Sequence, residues 1–93
     1  MRALSVILLA IGTAIGAAPP AAAAGQADYL AQLQPRFAYL TADQLLAEGF
    51  KVCRYVSAGR ATPGAVNMVQ SDLVVNELVA SAIVAAAIAN FGC

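Results

Sequence analysis

Residues 41–59 read TADQLLAEGFKVCRYVSAG and contain one helix together with its start and stop signals. Thr41 and Gln44 form a capping box, in which the Thr hydroxyl and the Gln amide each satisfy a free backbone N–H. Gly59 stands where a left-handed C-terminal cap belongs. The spacing predicts a helix over about 42–58. Its apolar face carries Leu45, Leu46, Gly49, Val52, Cys53 and Val56, and its solvated face carries Asp43, Gln44, Glu48, Lys51 and Arg54.

Helical spacing recurs on both sides of this segment, and no stretch alternates in the manner of a strand. Pro35 ends the preceding helix, because the residue before a proline is pushed out of the helical region. Thr62-Pro63 reads as an N-cap followed by proline in the first helical position. Ser71 or Asp72 is the expected cap of the last helix. We therefore predict an all-α bundle of three to four helices, with flanking helices over residues 28–34, 63–70 and 71–90.

The last helix is apolar on almost every side. Such a helix lies at the centre of a fold, inserts into a membrane or presses against a partner, and Glu77 argues against insertion because a carboxylate is costly at mid-membrane. We expect a central core helix with Leu78, Ile83 and Ile88 inside and with Leu78 facing Cys53. A candidate apolar binding surface lies on another sector and consists of Val84, Ile88 and Phe91.

The first residues have the composition of a secretory leader. Arg2 precedes an uncharged run over residues 3–18, Pro19-Pro20 follows, and Ala21 to Ala24 supply an A-x-A cleavage signal. An uncleaved anchor is the alternative, but the apolar run of about 16 residues is short of the roughly 20 that cross a bilayer. We predict a signal peptide over residues 1–24, cleavage between Ala24 and Gly25, a single helical domain over residues 25–93, and a location outside the cell or in its envelope.

The two cysteines, Cys53 and Cys93, follow the leader. Export takes them to an oxidising compartment, and a domain of this size commonly needs a covalent staple because its core alone is marginal. We predict an intramolecular Cys53–Cys93 disulfide. Free thiols or a bridge between two chains are the alternatives.

The residue inventory excludes several classes of chemistry. The 93 residues contain no His, and five basic residues balance five acidic ones. His-dependent zinc sites and catalytic triads therefore cannot form, and a basic footprint for nucleic acid is absent. We expect no enzymatic activity, no cofactor, no metal site and no nucleic-acid partner.

Three segments together resemble a known family. They are Asp28-Tyr29-Leu30-x-x-Leu33, then Gly49-x-x-Val52-Cys53-x-x-Val56-x-x-Gly59, and finally an alanine-rich helix that ends in Cys93. This pattern resembles the mycobacterial exported family called domain of unknown function 732, over essentially the whole chain after the leader. The resemblance implies a compact all-α domain behind a signal peptide, with two cysteines suited to pairing. It implies no catalytic residues, since the family has no assigned activity.

Two functions from different classes remain. The first is a non-enzymatic interaction module with an unknown protein or lipid partner in the envelope, without a stable membrane span once the leader is removed. The second is a small carrier of lipids or other apolar ligands. A cavity lined by Leu78, Ile83 and Val84 would favour the carrier, whereas a tight core with an exposed apolar stripe would favour the module.

Overall fold

The computed structural model describes residues 21–93, and these form four helices and no strand. The helices are α1 (Ala21–Leu33), α2 (Ala42–Ser57), α3 (Thr62–Leu73) and α4 (Glu77–Phe91). The all-α prediction is confirmed. Most of the predicted signal peptide lies outside the described residues, and the predicted cleavage junction at Ala24 and Gly25 lies within the span of α1.

Helix α2 begins and ends where its signals predict. The Gln44 backbone N–H donates to Thr41 Oγ1 over 3.1 Å, and the Thr41 N–H donates to Gln44 Oε1 over 2.9 Å. Ala58 caps the other end, and Gly59 adopts a φ of +88°. This capping box and the left-handed glycine confirm that local signals alone define α2.

The first helix is longer than predicted, because it begins at Ala21 and not at residue 28. The additional residues are mostly alanines, which have the highest intrinsic helix propensity, but the sequence pattern had assigned the first four of them to the leader. The helix ends at Leu33, two residues before Pro35, as expected from the restriction on the residue that precedes a proline.

The boundary between α3 and α4 differs from the prediction. Helix α3 continues through Leu73, and α4 is capped by Asn76, whose side chain accepts a 2.9 Å hydrogen bond from the Val79 N–H. Val74 between them has a φ of +54°, a conformation uncommon for a β-branched residue, so local propensity gives no warning of the break. Thr62 is likewise not the N-cap, because Ala61 occupies that position without a side-chain hydrogen bond.

Helix α4 forms the centre of the bundle and packs against α1, α2 and α3. Its buried residues are Val79, Ala80, Ile83, Val84, Ala86 and Ala87. The central-helix prediction is correct, and Ile83 is fully buried as expected, but Leu78 is 73% exposed and Val84 only 1% exposed, the reverse of the prediction for these two residues. Leu78 and Val84 lie about 120° apart around a helix that turns roughly 100° per residue. A sequence that is apolar all round contains no signal for which side faces inward.

Gly49 of α2 lies where α1 and α4 come closest to it. A Cβ placed on Gly49 would lie 2.7 Å from Phe91 Cε2 and 2.8 Å from Tyr29 Cζ. The Tyr29 and Phe91 rings are themselves in contact, with centroids 4.7 Å apart. The absence of a side chain at Gly49 therefore lets both aromatic rings reach the backbone of α2.

We expect Gly49→Ala to destabilise the protein by about 1–3 kcal/mol, because overpacking against two buried rings outweighs the gain of about 1 kcal/mol in helix propensity. Urea unfolding at constant pH measures the difference. The control is Ala47→Gly at an exposed position of the same helix, which reports the propensity term alone. A Gly49→Ala variant more stable than the wild type would contradict this account of the contact.

Candidate functional site

The disulfide links Cys53 of α2 to Cys93, which follows the end of α4. The two Sγ atoms are 1.97 Å apart and the two Cα atoms 5.3 Å apart. Both residues are half-buried, and each Sγ lies 3.9 Å from the Ala87 carbonyl oxygen. The predicted intramolecular pairing is confirmed, and neither cysteine is a free thiol.

The predicted binding surface of Val84, Ile88 and Phe91 is divided between two grooves: Val84 and Ile88 line one between α3 and α4, and Phe91 lines another beside the disulfide. Val84 belongs to the core, and Ile88 and Phe91 are half-buried. Phe91 packs between two rings, 4.7 Å from Tyr29 and 5.1 Å from Phe50, measured between centroids. The prediction is wrong for Val84, because α4 turns this side toward the α3 helix and the core.

A groove of about 730 Å³ lies beside the disulfide. We call it the disulfide groove; its lining residues are Gln26, Phe50, Cys53, Ser57 and the segment Ala89–Cys93. No charged side chain is among them, and the rings of Phe50 and Phe91 are the aromatic groups in the lining. The groove therefore offers aromatic contact together with a few neutral hydrogen-bonding groups.

One side of α4 carries a stripe of apolar residues, of which Leu78, Ala85 and Ala89 are exposed and Ala82 is half-buried. Leu78, Ala82, Ala85 and Ala89 follow one another at intervals of four, three and four residues. A groove of about 440 Å³ adjoins the stripe and is bounded on its α3 side by Thr62 and Val66. We call the stripe and this groove together the α4 outer surface. Glu77, at the first position of the helix, is the one charged residue within α4.

A second polar feature, the Glu48 cluster, joins α2 to α3 and consists of Glu48, Lys51 and Asp72. Lys51 Nζ donates to Asp72 Oδ2 over 2.7 Å. Glu48 was expected on the solvated face of α2, but it is only 6% exposed, and its Oε2 atom has no hydrogen-bond partner. The sequence contained a signal for this, since Glu48 lies three residues after Leu45 and four before Val52, at the edge of the apolar face.

The surroundings of these groups shift their protonation. The pKa of Glu48 is raised to about 7, and burial is the largest cause. A hydrogen bond with Asp72 and the negative charge of Asp72 also raise this pKa, whereas the positive charge of Lys51 lowers it. Hydrogen bonds from Lys51 and Glu48 lower the pKa of Asp72. Burial, with the Glu48 charge as a smaller cause, raises the pKa of Tyr29. The cluster thus contains one carboxyl that gains a proton easily and one that keeps its charge.

Residues 21–93 contain neither a metal-binding group of side chains nor a single membrane-spanning helix. No group of three or more His, Cys, Asp or Glu side chains there is arranged to hold a metal ion. No single helix in that range has the length and hydropathy of a membrane span; α3 and α4 meet those criteria only when taken together, as a pair bent by 117°.

The chain matches no protein-family model, no curated protein and no solved structure. The resemblance carried by Gly49-x-x-Val52-Cys53 and Cys93 to the mycobacterial exported family stays a prediction. The all-α fold and the disulfide agree with what that resemblance implies, and neither feature is specific to it.

Proposed function

We propose that this protein is an exported, non-enzymatic interaction module that acts outside the cell or in its envelope, and that it binds through the α4 outer surface. One observation carries the proposal: Leu78 is 73% exposed, and the α4 stripe that it begins is uncharged, while Ile83 and Val84 of the same helix are buried. Nearby Val74 is 89% exposed. Contiguous exposed apolar surface of this kind commonly marks an interaction site.

Export and the absence of catalysis have separate support. The Cys53–Cys93 disulfide is typical of an oxidising compartment, and the first 24 residues have the composition of a leader. The chain has no His, and both cysteines are used in the disulfide, so the common nucleophile–base pairs are missing. Membership of the mycobacterial exported family is part of this proposal.

The partner that fits the α4 outer surface is a protein with an apolar helix. The intervals between Leu78, Ala82, Ala85 and Ala89 are those of a helix–helix seam, and alanines allow a second helix to approach closely. The adjoining groove would receive larger apolar side chains from that helix. A membrane surface is a poorer match, because binding to anionic lipid relies on Lys and Arg beside the apolar face, and the stripe has neither.

The test is photo-crosslinking in cells that secrete the protein. A photoreactive amino acid replaces Ala85 on the stripe or, as the matched control, Ala47 on the exposed side of α2. We expect a crosslink to one distinct protein from position 85 and none from position 47. Adding Leu78→Lys should lower the yield about tenfold or more, since a tenfold loss corresponds to about 1.4 kcal/mol of binding free energy. Circular dichroism checks that this variant stays folded.

Other results would contradict the proposal. Crosslinks only to a second copy of this chain would show self-association, and crosslinks only to lipid would favour a carrier. Equal yields from positions 47 and 85, or no effect of Leu78→Lys, would mean that the α4 outer surface is not the binding site.

A lipid or apolar-ligand carrier is the second candidate, and the disulfide groove is the observation that favours it. Its volume of about 730 Å³ is within the range of small-molecule sites, and Phe50 and Phe91 line it. The closed core weighs against a carrier, because Ile83 and Val84 are buried and Leu78 lies outside. Native mass spectrometry of the secreted protein would distinguish the two, since a carrier should retain a bound lipid.

A further inference from the structure

The Glu48 cluster brings together ionisable groups from three helices. Glu48 of α2 is only 6% exposed, and its Oε2 atom has no hydrogen-bond partner. Lys51, three residues further along α2, forms an ion pair with Asp72 of α3 over 2.7 Å. Tyr29 of α1 is fully buried nearby, but its hydroxyl donates to the Leu45 carbonyl oxygen over 2.5 Å. Tyr29 is therefore not a donor to Glu48.

The charges of the cluster balance only when one carboxyl carries a proton. Lys51 pairs with Asp72, and an ionised Glu48 would add a second negative charge with one oxygen unpartnered in the interior. A buried unpaired charge is strongly unfavourable. A hydrogen bond between two carboxyls also requires a proton on one of them, because an ionised carboxylate only accepts. The burial of Glu48, its unpartnered oxygen and the Lys51–Asp72 ion pair therefore favour a protonated Glu48, whose hydroxyl can donate to Asp72.

We propose that Glu48, Asp72 and Lys51 form a proton-operated latch between α2 and α3, closed when Glu48 is protonated and weakened when Glu48 ionises. Because α3 supplies one wall of the groove in the α4 outer surface, the latch stabilises the position of that wall. It does not depend on the proposed function, since it concerns only how α3 is held against α2.

Few ionisable groups surround Glu48, and their effects on its pKa can be separated. Tyr29 faces it from α1, Lys51 from its own helix, and Asp72 from α3. Arg54 of α2 acts on Lys51, and α4 contains Glu77 alone, exposed at its start. The chain has no His, so no other side chain with an ordinary pKa titrates between pH 5 and 7.

The direction of the pH dependence follows from linkage. The folded protein raises the pKa of Glu48 from its ordinary value of 4.5 to about 7. The latch contribution is fully present below pH 4.5 and is lost as the pH rises to about 7, after which both states are ionised. Within this window the folding equilibrium constant should fall by up to about tenfold per pH unit.

The experiment compares urea unfolding of the disulfide-intact wild type, Glu48→Gln and Asp43→Asn at pH values from 4.5 to 8.5. Asp43 is an exposed carboxyl on the same helix and serves as the matched control. We expect wild type and Asp43→Asn to lose stability as the pH rises to about 7, and Glu48→Gln to show a nearly flat profile. Equal pH dependence in the wild type and Glu48→Gln, or a wild type without any decline, would overturn the proposal.

Carbon-13 NMR of the Glu48 carboxyl gives a direct measurement that does not require a folded variant. A midpoint near pH 7 in the wild type supports the latch, and a midpoint near 4.5 refutes it. Asp72→Asn removes the neighbouring negative charge and should move the Glu48 midpoint toward its ordinary value. An unchanged midpoint in Asp72→Asn would show that burial alone acts on Glu48 and that Asp72 is not its latch partner.

Discussion

Val84→Asp should unfold the protein, whereas Leu78→Asp should leave it folded. Val84 is 1% exposed on the inner side of α4, so an aspartate there places a charge in the core without a partner. The cost of an uncompensated buried charge is about 3–5 kcal/mol, comparable with the whole stability of a small domain. At Leu78 the carboxylate stays in water, and the expected change is within about 0.5 kcal/mol.

Circular dichroism and urea unfolding of both variants check this expectation. A second pair of variants tests the same orientation without adding a charge. Ile83→Ala, at a fully buried position, should lower the free energy of unfolding by about 2–5 kcal/mol, whereas Leu78→Ala should lower it little. Equal collapse of the two aspartate variants would mean that Leu78 is covered in solution. A stable Val84→Asp protein would contradict the orientation of α4 itself.

Loss of the disulfide should have an effect of similar size. The bridge joins residues 40 positions apart, and the loop-entropy relation gives about 4 kcal/mol for a loop of this length. The double variant Cys53→Ser/Cys93→Ser should therefore lose about 2–5 kcal/mol, because the unfolded chain regains the freedom that the bridge removes. Both cysteines are only half-buried, so lost packing contributes less than the lost cross-link.

Reduced wild-type protein is the matched control for the double variant. It keeps both sulfur atoms and lacks only the bond, so its unfolding midpoint should agree with that of the double variant. A loss below about 1 kcal/mol in both would show that the bridge does not stabilise the fold. Agreement between the oxidised and reduced wild type would lead to the same conclusion.

The helix ends that are defined by a few neighbouring residues were predictable from the sequence. The capping box of Thr41 and Gln44, the left-handed Gly59 and the stop before Pro35 depend on a few neighbouring residues. The break at Val74 was not predictable, because a β-branched residue seldom adopts positive φ and nothing nearby signals it. Asn76 is a good capping residue by type, but the apolar run around it masked the boundary.

The candidate site likewise has features that the sequence predicted and features that it did not. Pairing of the two cysteines was predicted from their number, from the oxidising compartment that the predicted leader implies and from the inward face of α2, and the structure confirms the pairing. The burial of Glu48 depends on the packing of α3 over the edge of that apolar face. The spacing of Glu48 from Leu45 and Val52 only suggests this burial. The exposed stripe that begins at Leu78 was placed on the wrong side of α4.

The sequence by itself therefore determined the fold class, the ends of α2 and the covalent link, because capping, proline geometry and cysteine pairing are local or countable. Only the tertiary structure decided which side of α4 faces water and which carboxyl is buried. A uniformly apolar helix has no preferred rotation of its own; the rotation is set by what the neighbouring helices present. In this chain α4 packs with Phe91 against Gly49, with Ile83 and Val84 in the core and with Leu78 in solvent.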